Sequence, residues 1–85
     1  MNHLTTPSFW EAYGNLPEEV RARADRNYAL LKTNPAHHTL KFKKVGKYWS
    51  VRAGPGYRAL GVDSPKGLAW FWIGPHDDYE RLIRS

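Results

Sequence analysis

Eighty-five residues make one small domain, spanning 1–85, with no room for a second core. Hydrophobic residues at 41% and aromatics at 14%, including four Trp and five Tyr, exclude a disordered tail and call for an aromatic-heavy core. The lack of cysteine excludes a disulfide scaffold, a thiolate metal site and a cysteine nucleophile, and thirteen Lys plus Arg against eight Asp plus Glu leave a charge of +5.

In chain order, residues 1–6 carry no periodicity and read as frayed; they lack a basic leader and an apolar run, and no window is long enough to span a bilayer, which points to a cytoplasmic protein without membrane contact. A two-turn helix starts at Pro7-Ser8 with Ser8 as its cap, carries Phe9, Trp10 and Tyr13, and stops at Gly14. Asn15-Leu16-Pro17-Glu18-Glu19 opens a second helix. Its Asn can accept backbone N–H bonds, its Pro lacks a donor where none is needed, and its two carboxylates meet the positive end of the dipole. Val20, Ala24, Asn27, Tyr28 and Leu31 then recur at helical spacing, opposite Arg21, Arg23, Asp25 and Arg26, until Lys32-Thr33-Asn34-Pro35 ends the pattern.

From there the period is two. Leu40 and Phe42 alternate with Lys41 and Lys43, and Trp49, Val51 and Ala53 alternate with Tyr48, Ser50 and Arg52, as half-buried antiparallel strands require. Gly46 marks one turn, Ala53-Gly54-Pro55-Gly56 a tight hairpin connection, Tyr57–Val62 the returning strand, and Ser64-Pro65-Lys66-Gly67 the next turn. The strand 68–73, Leu-Ala-Trp-Phe-Trp-Ile, is apolar on both faces and belongs inside a sheet; Gly74-Pro75 breaks it before a short helix over His76–Ile83. The predicted fold is α+β: two N-terminal helices packed on one face of a four-stranded, mainly antiparallel sheet, with a short C-terminal helix. The other sheet face is left for a ligand.

Eight basic side chains, Arg26, Lys32, Lys41, Lys43, Lys44, Lys47, Arg52 and Arg58, lie between residues 26 and 62 with no Asp or Glu among them. A polyanion is their natural partner. Arg52 and Arg58 sit on the two arms of the hairpin, where guanidinium forks match phosphate oxygens. Their parity is a difficulty: Arg58 shares a face with Leu60 and Val62, Arg52 with Tyr48 and Ser50, so both are well aimed only if a bulge interrupts the turn. His76, after a strand end and a Gly-Pro break, is the candidate for proton transfer. Lys41, Lys43, Lys44 and Lys47 would neutralise flanking phosphates, with Tyr48 and Tyr57 as exposed rings for unstacked bases and Trp49, Trp70 and Trp72 packed inside. His37 and His38 read as loop residues, and two adjacent His without a third ligand make no metal site.

The segments SFWEAYGNLPEEV, NPAHHTLKFKKV, YWSVR, YRALGV and WFWIGPHDDY, spread from Ser8 to Ile83, resemble toxins of the RelE/ParE superfamily. The resemblance implies one half of a type II toxin–antitoxin pair, with a cognate antitoxin covering the active face, a monomeric free toxin, and metal- and cofactor-independent cleavage of mRNA on the ribosome. In that family's pattern Arg58 matches the phosphate-binding arginine of the third strand, Arg52 its neighbour, and His76 the His or Tyr after the last strand. The pattern departs at the general base: relatives carry a Glu where this chain has Thr39 and lysines, so His37, His38 or Lys43 substitutes, or the chain does not cleave RNA. Members nearer ParE act on DNA gyrase without hydrolysis, and a catalytically inactive nucleic-acid-binding relative is the third alternative.

Overall fold

The computed structural model describes residues 2–84, and in it the chain forms β1 (His3–Thr5), α1 (Pro7–Gly14), α2 (Glu18–Thr33), a 3-10 turn (His38–Leu40), β2 (Lys43–Val45), β3 (Tyr48–Gly54), β4 (Tyr57–Ser64), β5 (Gly67–Pro75) and α3 (His76–Arg84). The sheet has five strands in the order β1-β5-β4-β3-β2 and is mixed, because β1 runs parallel to β5 while the other pairs are antiparallel. The fifth strand corrects the four-stranded expectation. Residues read as frayed instead pair in register, His3 opposite Leu68 and Thr5 opposite Trp70, whereas Met1 lies outside the described residues. With β1 on one side and β4 on the other, β5 is internal, as its two-sided apolar sequence requires.

Helix α1 is capped by Thr6, not Ser8: the Thr6 side chain accepts from the Phe9 N–H, and the Ser8 hydroxyl donates to the Phe71 carbonyl at 2.8 Å. Helix α2 starts where its proline and paired glutamates predict, but Pro17 holds the cap position without a side-chain bond, and Asn15 serves as the C-cap of α1. Both helices pack on one sheet face, where Leu16, Val20, Ala24 and Leu31 meet Val51, Ala59, Trp70 and Ile73 in the main core.

Opposed residues on neighbouring strands share a face, and faces alternate along a strand. The row Val51–Ala59–Ile73 points at the helices, so the flanking rows Ser50–Leu60–Trp72 and Arg52–Arg58–Gly74 point the other way. That second face is not bare. Helix α3 packs against β4 and β5, Tyr79 is 4% exposed, and Ser50 and Leu60 are fully buried. A register shift between Leu60 and Gly61 places Trp70 opposite Gly61 and Trp72 opposite Leu60, which sends the two rings to opposite faces. Trp70 is therefore core and Trp49 is half-buried but packed against it, while Trp72 is half-buried outside that core, against expectation.

The predicted strand through Leu40 and Phe42 is also different. Leu40 closes the 3-10 turn, Lys41 takes a left-handed backbone with φ of 47°, and the strand begins only at Lys43. Both apolar side chains still reach the core, so the period-two signal is genuine, but a kink and not an extended strand produces it.

Candidate functional site

The β3–β4 hairpin brings Arg52 directly opposite Arg58, and the bulge falls immediately beyond them, between Arg52 and Gly54. This resolves the parity difficulty: both guanidinium stems leave the same face, and the irregularity is absorbed by the turn. Gly56 makes that turn at φ 77°, a conformation L side chains rarely adopt, and its carbonyl accepts the backbone N–H of His76 at 2.9 Å. The first residue of α3 is thereby tied to the hairpin tip.

One open cleft results, lined by Lys41, Arg52, Tyr57, Arg58 and His76 around the backbone of Gly54 and Gly56. Arg58 is the best-held of these side chains: its Nη1 donates to the Ser50 hydroxyl at 3.4 Å, and its guanidinium carbon lies 5.5 Å from the centre of the Tyr79 ring. His76 packs 5.3 Å from the same ring, with its Nε2 3.7 Å from a Glu80 carboxylate oxygen. Tyr79, which the sequence reading did not single out, is thus the floor under both groups. Its signal was an aromatic three residues after His76, on the inward side of a short amphipathic helix. Trp72 lies beside this region over Gly74, where a Cβ would collide with the indole ring.

Among the described residues the ion pairs are Lys44–Asp63, His76–Glu80, Arg81–Asp78 and Arg84–Glu80, so no carboxylate neutralises Arg52 or Arg58. No cluster of three or more His, Cys, Asp or Glu gathers there to hold a metal ion.

The expected RNA-contact residues divide. Lys41 lines the cleft, and Lys43, opposite Ser50, stands on its sheet face. Lys44, opposite Trp49, stands on the helix-side face and pairs with Asp63 at 3.2 Å. Hydrogen bonds from Trp49 and Lys44 hold the Asp63 carboxyl below its ordinary range. The acid-free run in sequence is therefore not acid-free in space, because β4 returns Asp63 beside it. Lys47 sits over the Tyr48 ring, and Tyr48 is half-buried against Phe71 at 5.7 Å. Tyr57 is half-buried and packs against the core, so it is a wall of the cleft and not an exposed stacking ring. His37 caps the 3-10 turn through Thr39 and stacks on His38 at 4.8 Å; neither imidazole lines the cleft.

A more apolar cleft lies on the helix side among Phe9, Trp10, Tyr13 and Tyr28. Its carboxylate, Asp25, accepts a 2.7 Å hydrogen bond from the Tyr13 hydroxyl. It presents no cation to a phosphate apart from Arg52, whose side chain serves the other face.

No family model matches the sequence, and no curated protein matches it. Solved structures do match. A chain of the RelB–RelE antitoxin–toxin complex from Methanococcus jannaschii superimposes with a TM-score of 0.70 over 93% of this chain and 96% of its own, at 14% identity. The isolated RelE toxin of E. coli superimposes with a TM-score of 0.61 over 96% of this chain and 94% of its own, at 11% identity. Coverage that complete on both sides shows that this chain has the RelE fold.

Proposed function

We propose that the protein is the toxin of a type II toxin–antitoxin pair and cuts mRNA on the ribosome without a metal, with the cleft at the hairpin tip as its active site. The observation that carries the reading is the Arg52–Arg58 pair, unneutralised by any described carboxylate, in one cleft with His76. The reaction joins the 2′-oxygen to phosphorus and breaks the bond to the 5′-oxygen, leaving a cyclic phosphate and a free 5′-hydroxyl. Arg52 and Arg58 carry the charge that builds on the phosphorane. His76, packed on the Tyr79 ring with its Nε2 3.7 Å from a Glu80 carboxylate oxygen, hands a proton to the departing oxygen. None of His37, His38 and Lys43 lines the cleft, but Lys43, opposite Ser50, stands on the same sheet face, and we assign it the 2′-hydroxyl proton. The antitoxin complex formed by the archaeal neighbour supports a cognate antitoxin here, acting in the cytoplasm.

Primer extension on messages after induced expression tests this. The expected result is discrete new ends inside reading frames. Losing the phosphorane charge or the acid costs about 100-fold or more, so Arg58→Ala and His76→Ala each abolish the ends while circular dichroism stays native. Cleavage retained by both variants overturns the site, and DNA breaks without RNA ends overturn the activity in favour of gyrase.

A further inference from the structure

A second cleft opens on the far side of Arg52, lined by Arg23, Arg26, Asn27, Thr39, Arg52 and Gly54. Arg23 and Arg26 are three apart on α2, which puts both on one helix face, and both are exposed. The face is fastened to the hairpin: the Asn27 amide donates to the Arg52 carbonyl at 2.9 Å, and the Arg23 stem runs beside Gly54, with its Cβ and Cδ 3.5 and 3.6 Å from where a side chain would begin. Neither Arg23 nor Arg26 takes part in any ion pair among the described residues. The nearest acid on α2, Asp25, is engaged by Tyr13. Two exposed guanidiniums without an ion-pair partner among the described residues thus border the cleft beside the Arg52 backbone, positive charge that an entering anion would neutralise. Arg52 and Gly54 border both clefts, so the two are consecutive along one path.

We infer that Arg23 and Arg26 form a second phosphate subsite, and that single-stranded RNA runs from the His76 cleft across Arg52 onto the α2 face. This rests on the RNA-directed reading above and extends it to a direction of the strand over the protein. It also gives a role to α2 charges that helical periodicity alone assigns to solvent.

The test is equilibrium binding of a short fluorescent single-stranded RNA to the full chain across a salt series, beside binding of a mononucleotide. Each neutralised phosphate of a single strand contributes about 0.7 to the slope of log affinity against log salt. The variant Arg23→Ala/Arg26→Ala should lower that slope by about 0.7 to 1.4, while mononucleotide binding stays unchanged. Arg58→Ala should weaken both ligands. Lys66→Ala, an exposed charge on the β4–β5 turn, is the control for bulk electrostatics. A double variant with wild-type slope and affinity, or one matched by Lys66→Ala, overturns the subsite; if Arg58→Ala still weakens binding, the active-site reading survives. Wild-type protein that shows no salt-dependent RNA binding overturns both. Because Arg23 and Arg26 are exposed, the variant should fold, and Arg26→Ala alone gives the same test with half the change.

Discussion

Lys41 separates binding from stability at a single position. Its left-handed backbone, φ 47°, is unfavourable for any residue with a Cβ by about 1 to 2 kcal/mol, and its side chain lines the cationic cleft. Glycine relieves that strain but loosens the unfolded chain by roughly 0.4 to 1 kcal/mol, so the terms nearly cancel. Lys41→Gly should therefore leave the urea-unfolding free energy within about 1 kcal/mol of wild type or raise it, while RNA affinity falls; a larger loss of stability would show that the side chain holds the fold and not the ligand. The individual site residues were unevenly legible. Hairpin position and the Gly-Pro break were enough to bring Arg52, Arg58 and His76 into one cleft. Lys44 misled, because the carboxylate that engages it arrives nineteen residues later from β4. Tyr57 misled because it alternates with Arg58 along β4 and so faces the helix side with Ala59, where it packs against the core.

Among the elements, β1 is the one local pattern does not reveal. Three residues without a period pair with a strand some sixty-five positions away, and parallel pairing leaves no turn signal between them. What fixes β1 is chemistry at His3: the Trp70 indole N–H donates to its Nδ1 at 3.0 Å, the two rings stack at 6.1 Å, and Tyr28 meets it edge-on. Burial first, then nearby positive charge including Lys32, hold the imidazole below its ordinary value of 6.5. A group with a lowered folded-state pKa stabilises fully above the unfolded value and loses that contribution as pH falls through the folded one. Protonation also fills the lone pair that Trp70 uses. Wild-type protein should thus lose thermal stability between about pH 7 and about pH 5, and His3→Phe, which keeps the stacking and cannot titrate, should lose clearly less. Parallel curves for the two proteins would rule out His3 as the titrating group. The hairpin and α2 were readable because turn glycines, a helix-start proline and paired glutamates act locally. The first predicted strand was not, since a left-handed lysine between two core residues imitates strand alternation.

At the scale of the whole molecule the sheet is covered on both faces, by α1 and α2 on one side and by α3 over part of the other. The surface proposed for the ligand is therefore not a bare sheet but the strip that α3 leaves open at the hairpin tip, and the same helix supplies His76 and the Tyr79 floor under Arg58. Leu60 is the hinge of this arrangement. It is completely buried, yet it lies outside the main core, on the face that α3 covers and next to Arg58 in sequence. Truncation to alanine removes buried methyl groups and leaves a cavity, at about 2 to 5 kcal/mol. In a domain this small each kcal/mol moves the melting temperature by roughly 4 to 8 °C, so Leu60→Ala should lower it by about 10 °C or more. The accompanying change identifies the cause. If Leu60 props α3 against the sheet, amide exchange in 76–84 should quicken more than in α2, and RNA affinity should fall well below the melting transition although no contact residue has changed. Uniform acceleration across both helices, with affinity intact, would mean that the site does not depend on the packing of α3 and that Arg58 is held by Ser50 alone.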